Sequence, residues 1–257
     1  MFRPIASIFA LFFCLTMVNA EETFIMINGL TNEHIVEFGP HSTEQVSPCS
    51  TFKIPLSLMG FDSKILQDAT TPTWNFQEGY VDFLESWKSP QTPLSWMKLS
   101  CVWYSQVLTT ELGLDNFRIY LAAFNYGNQD VSGGLTQAWL ASSLKISPQE
   151  QVGFLQQMVQ GKLPVSSYAL EMTKTIMRID VLDNGWTLYG KTGWGGSTKP
   201  DGINEIGWFI GWIEKNASFF PFAYQVRSPK IDLAQRVPRV KALLRESHIM
   251  TKDLFRN

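Results

Sequence analysis

Apolar positions change their spacing twice along this chain. Residues 24–27 and 34–38 are short β-prone runs on either side of Asn28-Gly29, and they predict an N-terminal hairpin or pair of strands. From Ser50 to about Met177 the apolar residues recur at mixed intervals of three and four, as in 117–124 and 149–159, with Pro and Gly clusters between. That spacing predicts a run of helices. Residues 186–189, 205–214 and 218–226 are aromatic and β-branched runs separated by turn residues, and 232–247 returns to an amphipathic helical pattern. Strands at both ends with helices inserted between them predict an α+β fold of two lobes. One antiparallel sheet is built from both chain ends, about 21–48 and 184–257, and the helical lobe occupies about 49–183. A cleft between the lobes is where a site is expected. No internal repeat or linker divides residues 21–257, so they read as a single domain.

The leader changes the expected compartment. Arg3 precedes an apolar run over 5–18 that is too short to span a bilayer and is followed closely by Ala20-Glu21-Glu22, so residues 1–20 read as a signal peptide cleaved after Ala20. The protein is then expected in the periplasm or secreted, with no membrane span after cleavage. Composition, 45% apolar and 13% aromatic, is that of an ordinary globular protein. The formal charge of −2 becomes about −3 once Arg3 is removed, and nothing in it draws the chain to nucleic acid or acidic membranes. Cys14 leaves with the leader, so Cys49 and Cys101 are the thiols exposed to an oxidising compartment, and whether they form a disulfide stays open at this stage.

The candidate chemistry narrows by elimination. His34, His41 and His248 have no second His or Cys at ligand spacing, so no metal is expected. There is no G-x-S-x-G elbow. The segment from Gly185 to Thr192 formally matches the phosphate-loop pattern, but residues 186–189 are bulky and strand-forming, where a phosphate cradle needs a flexible loop leading into a helix. Pro48-Cys49-Ser50-Thr51-Phe52-Lys53 is more informative. Ser47 is suited to cap a helix there and Pro48 to open it, leaving Ser50 in the first turn with Lys53 on the same face. Pro55 predicts a kink or short break. A serine hydroxyl becomes a nucleophile only when something takes its proton, and a lysine can do so only when desolvation or modification abolishes its charge. The apolar neighbours Phe52, Ile54, Pro55 and Leu56 favour that desolvation.

Further segments follow in order: Ser100-Cys-Val102, Tyr126-Gly-Asn128, Trp139 and Lys191-Thr-Gly193. With Ser50-Thr-Phe-Lys53 they resemble the ordered signature of class D (oxacillinase-type) serine β-lactamases, over nearly all of residues 21–257. The resemblance implies hydrolysis of the β-lactam ring of penicillin-type antibiotics through a Ser50 acyl-enzyme. Lys53 would be an N6-carboxylysine made from CO₂ and would serve as general base in acylation and deacylation; no cofactor beyond CO₂ or bicarbonate is implied. Trp139 would hydrogen-bond that group, and Ser100 with Lys191 would return a proton to the departing ring nitrogen. Backbone N–H groups of Ser50 and Trp194 would form the oxyanion hole. Val102 would wall the modified lysine, while Thr192, Gly193 and Arg236 would bind substrate. Tyr126 and Asn128 would shape the cleft edge, more as structure than as chemistry.

The sequence departs from the family pattern where Cys49 and Cys101 replace expected smaller residues and where Trp103-Tyr104 is bulkier. Those residues, with Trp96, Met97 and Trp194, leave the substrate range open. A small-molecule β-lactam is the implied partner, and a homodimer is compatible with the sequence. The alternative within the same motif set is a slowly deacylating penicillin-binding sensor or D,D-peptidase. A sensor calls for membrane helices beyond the leader, and a class A enzyme for Ser-Asp-Asn where this chain has Ser100-Cys-Val.

Overall fold

The computed structural model describes residues 20–182, 185–196 and 205–250. The expected signal peptide therefore lies, except for Ala20, outside the described residues. Strands β1 (Glu21–Ile27) and β2 (His34–Phe38) form the N-terminal pair, joined by the turn that follows Asn28. Six helices follow: α1 (Lys53–Asp62), α2 (Pro93–Leu99), α3 (Val102–Leu112), α4 (Leu114–Ala123), α5 (Pro148–Val159) and α6 (Ser167–Met177). The chain then returns to strand in β3 (Arg178–Val181), β4 (Thr187–Gly196), β5 (Glu205–Lys215) and β6 (Ser218–Ser228), and closes with α7 (Arg236–Glu246).

One antiparallel sheet runs in the order β2-β1-β6-β5-β4-β3, with β1 against β6 joining the two ends of the chain. β5 and β6 meet through a two-residue turn, in which Asn216 takes φ 54°, a left-handed angle that asparagine tolerates well. Both faces of β1, β5 and β6 are covered, which explains why these strands read as nearly continuous apolar runs. Trp208, Ile210 and Trp212 of β5 enter the core shared with the helices, while Phe209 and Ile213 point the other way, joining Phe222 and Tyr224 against Val240, Leu243 and Leu244 of α7.

Two local expectations are corrected. Pro55 neither kinks nor breaks α1: it falls in the first turn, where the N–H it lacks has no intrahelical partner to lose. Residues 53–61 are buried throughout, making α1 the central helix of its lobe, packed on α3 and α6. β3 belongs to the sheet although it lies within the stretch expected to be the helical lobe. It is exposed over its whole length and alternates Arg178 and Asp180 with Ile179 and Val181, a short charged edge strand without a two-sided apolar run to announce it.

Candidate active site

Ser50 sits in a 3-10 turn, Cys49–Phe52, that runs directly into α1. Three residues per turn bring positions i and i+3 into register, so this pitch stacks Lys53 on Ser50 more closely than an α-helix would. Lys53 Nζ is 3.4 Å from Ser50 Oγ. The Lys53 side chain is wholly buried, whereas Ser50 keeps partial exposure. Burial lowers the Lys53 pKa to about 7, against smaller opposing contributions from the Cys101 and Cys49 thiols. Those thiols are both buried and unbridged, and burial raises each to about 11, which keeps them protonated.

The turn is not capped as expected. Pro48 occupies the N-cap without a side-chain bond, and the Ser47 hydroxyl is engaged elsewhere: it donates to Trp139 O at 2.7 Å and accepts from Ala141 N at 2.9 Å. Cys49 N donates to the same Trp139 carbonyl at 3.0 Å, with Cys49 held at φ 50°. The turn preceding the nucleophile is thus tied to a segment about ninety residues away in sequence.

The Trp139 indole stacks on Phe52 at 5.4 Å between ring centres, and its Nε1 is buried without a hydrogen-bond partner. An orphaned indole donor in a core is costly, so an acceptor absent from the bare polypeptide fits this place. Tyr126 is wholly buried behind Phe52 rather than standing at a cleft edge. Its hydroxyl donates to Gln151 Oε1 at 3.4 Å, and Gln151 Nε2 reaches Thr51 Oγ1 at 3.0 Å, so Tyr126 supports the nucleophile's turn from within. Asn128 cross-links its loop through Lys145 N at 2.9 Å and Ser143 O at 2.9 Å, a structural role.

Ser100 is the C-cap of α2 at φ 59°, and the preceding carbonyl, Leu99 O, accepts from Trp87 Nε1 at 2.9 Å. Lys191 Nζ donates to Ser100 Oγ at 3.0 Å and to Thr192 O at 2.9 Å. Burial, together with repulsion from Lys53 and Arg236, holds Lys191 well below the usual lysine range. The two hydrogen-bonded pairs, Ser50–Lys53 and Ser100–Lys191, belong to one group, since the Lys53 charge bears directly on Lys191. Val102 opens α3 and is half-buried.

β4 closes the site. At Gly193 a Cβ would meet Pro48 O and Thr51 Cγ2 at 3.0 Å and Thr51 N at 3.2 Å, so any side chain there would make the strand or the Ser50 turn give by a few tenths of an ångström, and glycine allows the close approach as it stands. Arg236, the first residue of α7, donates through Nη1 to Gly193 O at 2.6 Å, which places it beside Thr192 and Gly193; Trp194 is 42% exposed. Gly190, Lys191 and Thr192 lie mid-strand, paired with β5, so the phosphate-loop pattern is not a helix-leading cradle. Among the described residues no group of three His, Cys, Asp or Glu side chains could hold a metal ion. Thr51 and Gln151 are supporting residues that local sequence reading missed, and Ser47 is one that it read as a helix cap, because each acts through a contact far away in the chain.

The sequence matches the penicillin binding protein transpeptidase domain over residues 23–245. It is 44% identical over 210 residues to the β-lactamase OXA-9 of Klebsiella pneumoniae, covering 77% of this chain and 76% of that one. Identity to the β-lactamase OXA-1 of Escherichia coli is also 44%, over 200 residues, 75% of this chain and 71% of the relative. The crystal structure of the class D β-lactamase OXA-427 superposes with a TM-score of 0.82 at 41% identity, covering 88% of this chain and 97% of that chain. With the S-x-x-K turn, the Ser100 hydroxyl and the Lys191-Thr-Gly strand in the same constellation, the chain belongs to the class D β-lactamase family.

Proposed function

We propose that this protein hydrolyses the β-lactam ring of penicillin-type antibiotics through an acyl-enzyme on Ser50, with Lys53 N-carboxylated and acting as general base in both half-reactions. The observation that carries this reading is the wholly buried Lys53 amine, with a pKa of about 7, 3.4 Å from Ser50 Oγ. A neutral amine has the lone pair that attacks CO₂, forming an N–C bond with loss of one proton, whereas an ammonium does not. The unpartnered Trp139 Nε1 supports the same reading by offering a donor to the new anionic oxygens. Carboxylation supplies an acceptor for the proton of Ser50 and later for that of water.

Ser50 Oγ bonds to the ring carbonyl carbon while backbone N–H groups of Ser50 and Trp194 stabilise the oxyanion. As the ring C–N bond breaks, Ser100 gives its proton to the nitrogen and is replenished through Lys191, 3.0 Å away, by the proton that carboxylated Lys53 took from Ser50, which frees that base to accept one from water. Thr192 and Arg236 hold the substrate carboxylate, a group that a guanidinium matches geometrically. Water then cleaves the ester and returns Ser50 to its starting state. Export of residues 21–257 to the periplasm or the medium completes the proposal. Among the described residues, no helix is long and apolar enough to cross a membrane.

The test is turnover of a chromogenic cephalosporin by residues 21–257, with bicarbonate added or CO₂ stripped, beside Lys53→Ala and intact-mass measurement. Turnover that rises with bicarbonate and vanishes in the variant supports the proposal. A stable acyl adduct without turnover replaces it with a penicillin-binding or sensor protein.

A further inference from the structure

Trp139 has two separate supports. Its ring is fixed by stacking on Phe52 and by the edge of Phe117, with centroids 5.4 and 6.3 Å away, while its backbone hangs on the nucleophile's own turn. Ser47 is the centre of the second support. It is buried, its hydroxyl bridges Trp139 O and Ala141 N, and its carbonyl accepts from Trp208 Nε1 of β5 at 3.0 Å. Ala141 takes φ 52°, a strained angle that the bond to Ser47 helps to hold. Sheet, nucleophile turn and the Trp139 segment therefore meet at one residue, the sheet through the Ser47 carbonyl and the Trp139 segment through its hydroxyl.

We infer that Ser47 is a positioning residue for Lys53 carboxylation: it clamps the Trp139 segment so that the unpartnered indole N–H stays fixed in the core against Phe52, the residue that leads into Lys53. This rests on the carboxylation reading above. Ser47 touches neither substrate nor the reacting atoms in this role. Its removal should weaken retention of CO₂ while leaving the chemistry of the carboxylated enzyme in place.

The experiment compares wild type, Ser47→Ala and Ser47→Thr by bicarbonate titration of turnover and by ¹³C NMR of enzyme equilibrated with labelled bicarbonate. In Ser47→Ala, which loses both hydroxyl hydrogen bonds, the bicarbonate needed for half-maximal activity should rise about tenfold or more, since the net effect of one buried hydrogen bond is already of that order. Saturating bicarbonate should restore kcat, and Ser47→Thr should return the requirement toward wild type. Should Ser47→Ala fail to fold, Ser47→Cys keeps the side chain's size with a weak donor and reads the same quantity. An unchanged bicarbonate requirement, or lost activity with a full carbamate resonance, overturns the inference. Wild-type enzyme showing neither bicarbonate dependence nor that resonance overturns the carboxylation reading itself, before the Ser47 variants are compared.

Discussion

Lys53 is a wholly buried amine, and its protonation governs both stability and chemistry. Its folded-state pKa of about 7 lies below the ordinary 10.5, so between these values the unfolded chain binds the extra proton. The Lys53 contribution to stability is therefore least favourable below about pH 7 and improves as pH rises toward 10.5, by up to about 1.4 kcal/mol per pH unit. Urea unfolding in CO₂-free buffer should show this rise in wild type and a flatter profile in Lys53→Met. The same proton sets the supply of reactive amine. Below about pH 7 the bicarbonate requirement should climb toward tenfold per pH unit, measured as the bicarbonate concentration that gives half-maximal turnover at each pH. Trp139→Phe removes the orphaned N–H while keeping most of the ring packing, so it should fold, and its turnover should need a higher bicarbonate concentration than wild type. Ser50 and Lys53 were legible in the sequence because three-residue spacing is local. Ser47 was misread as a helix cap because the partner of its hydroxyl lies at 139–141, beyond anything a spacing rule can see.

At the scale of elements, the site depends on how closely β4 approaches the turn that opens α1. Gly193→Ala would push a methyl group against Pro48 O and Thr51, moving the strand that carries the Trp194 N–H away from Ser50. With that N–H as the proposed oxyanion donor, we expect kcat/KM to fall about 100-fold, the order associated with losing one such donor, with the far-ultraviolet spectrum retained. Stopped-flow acylation by the chromogenic substrate checks this, because a slower acylation phase locates the damage before ester hydrolysis. Helices α5 and α7 and strands β5 and β6 were legible from their periods and turn residues. β3 was not, since four exposed residues leave too little apolar pattern to oppose the helix before them. Pro55 misled for a related reason: the switch from 3-10 to α-helix at Lys53 puts it in a first turn, and a sequence does not mark where that switch falls.

Across the whole molecule, the sheet gathers what the chain separates. β1 is hydrogen-bonded to β6, and Glu22 of β1 pairs with Arg239 of α7 at 2.9 Å, so the N-terminal strand is part of the same body as the C-terminal helix. Heat or denaturant unfolding should therefore be a single transition, with far-ultraviolet dichroism and tryptophan emission coinciding; separate midpoints would show that the two lobes unfold independently. The two-lobed α+β architecture was legible because the apolar period changes where the lobes change. The strand order was not, because pairing β1 with β6 is set by long-range burial on both faces of the sheet. The nine indoles give this molecule a further property: Trp194, whose backbone N–H is the proposed second oxyanion donor, is 42% exposed, while the other eight are buried or half-buried. A neutral quencher such as acrylamide should thus act mainly on one emitter at the mouth of the site, so occupancy by an unlabelled, slowly turned-over β-lactam can be followed through the protein's own light.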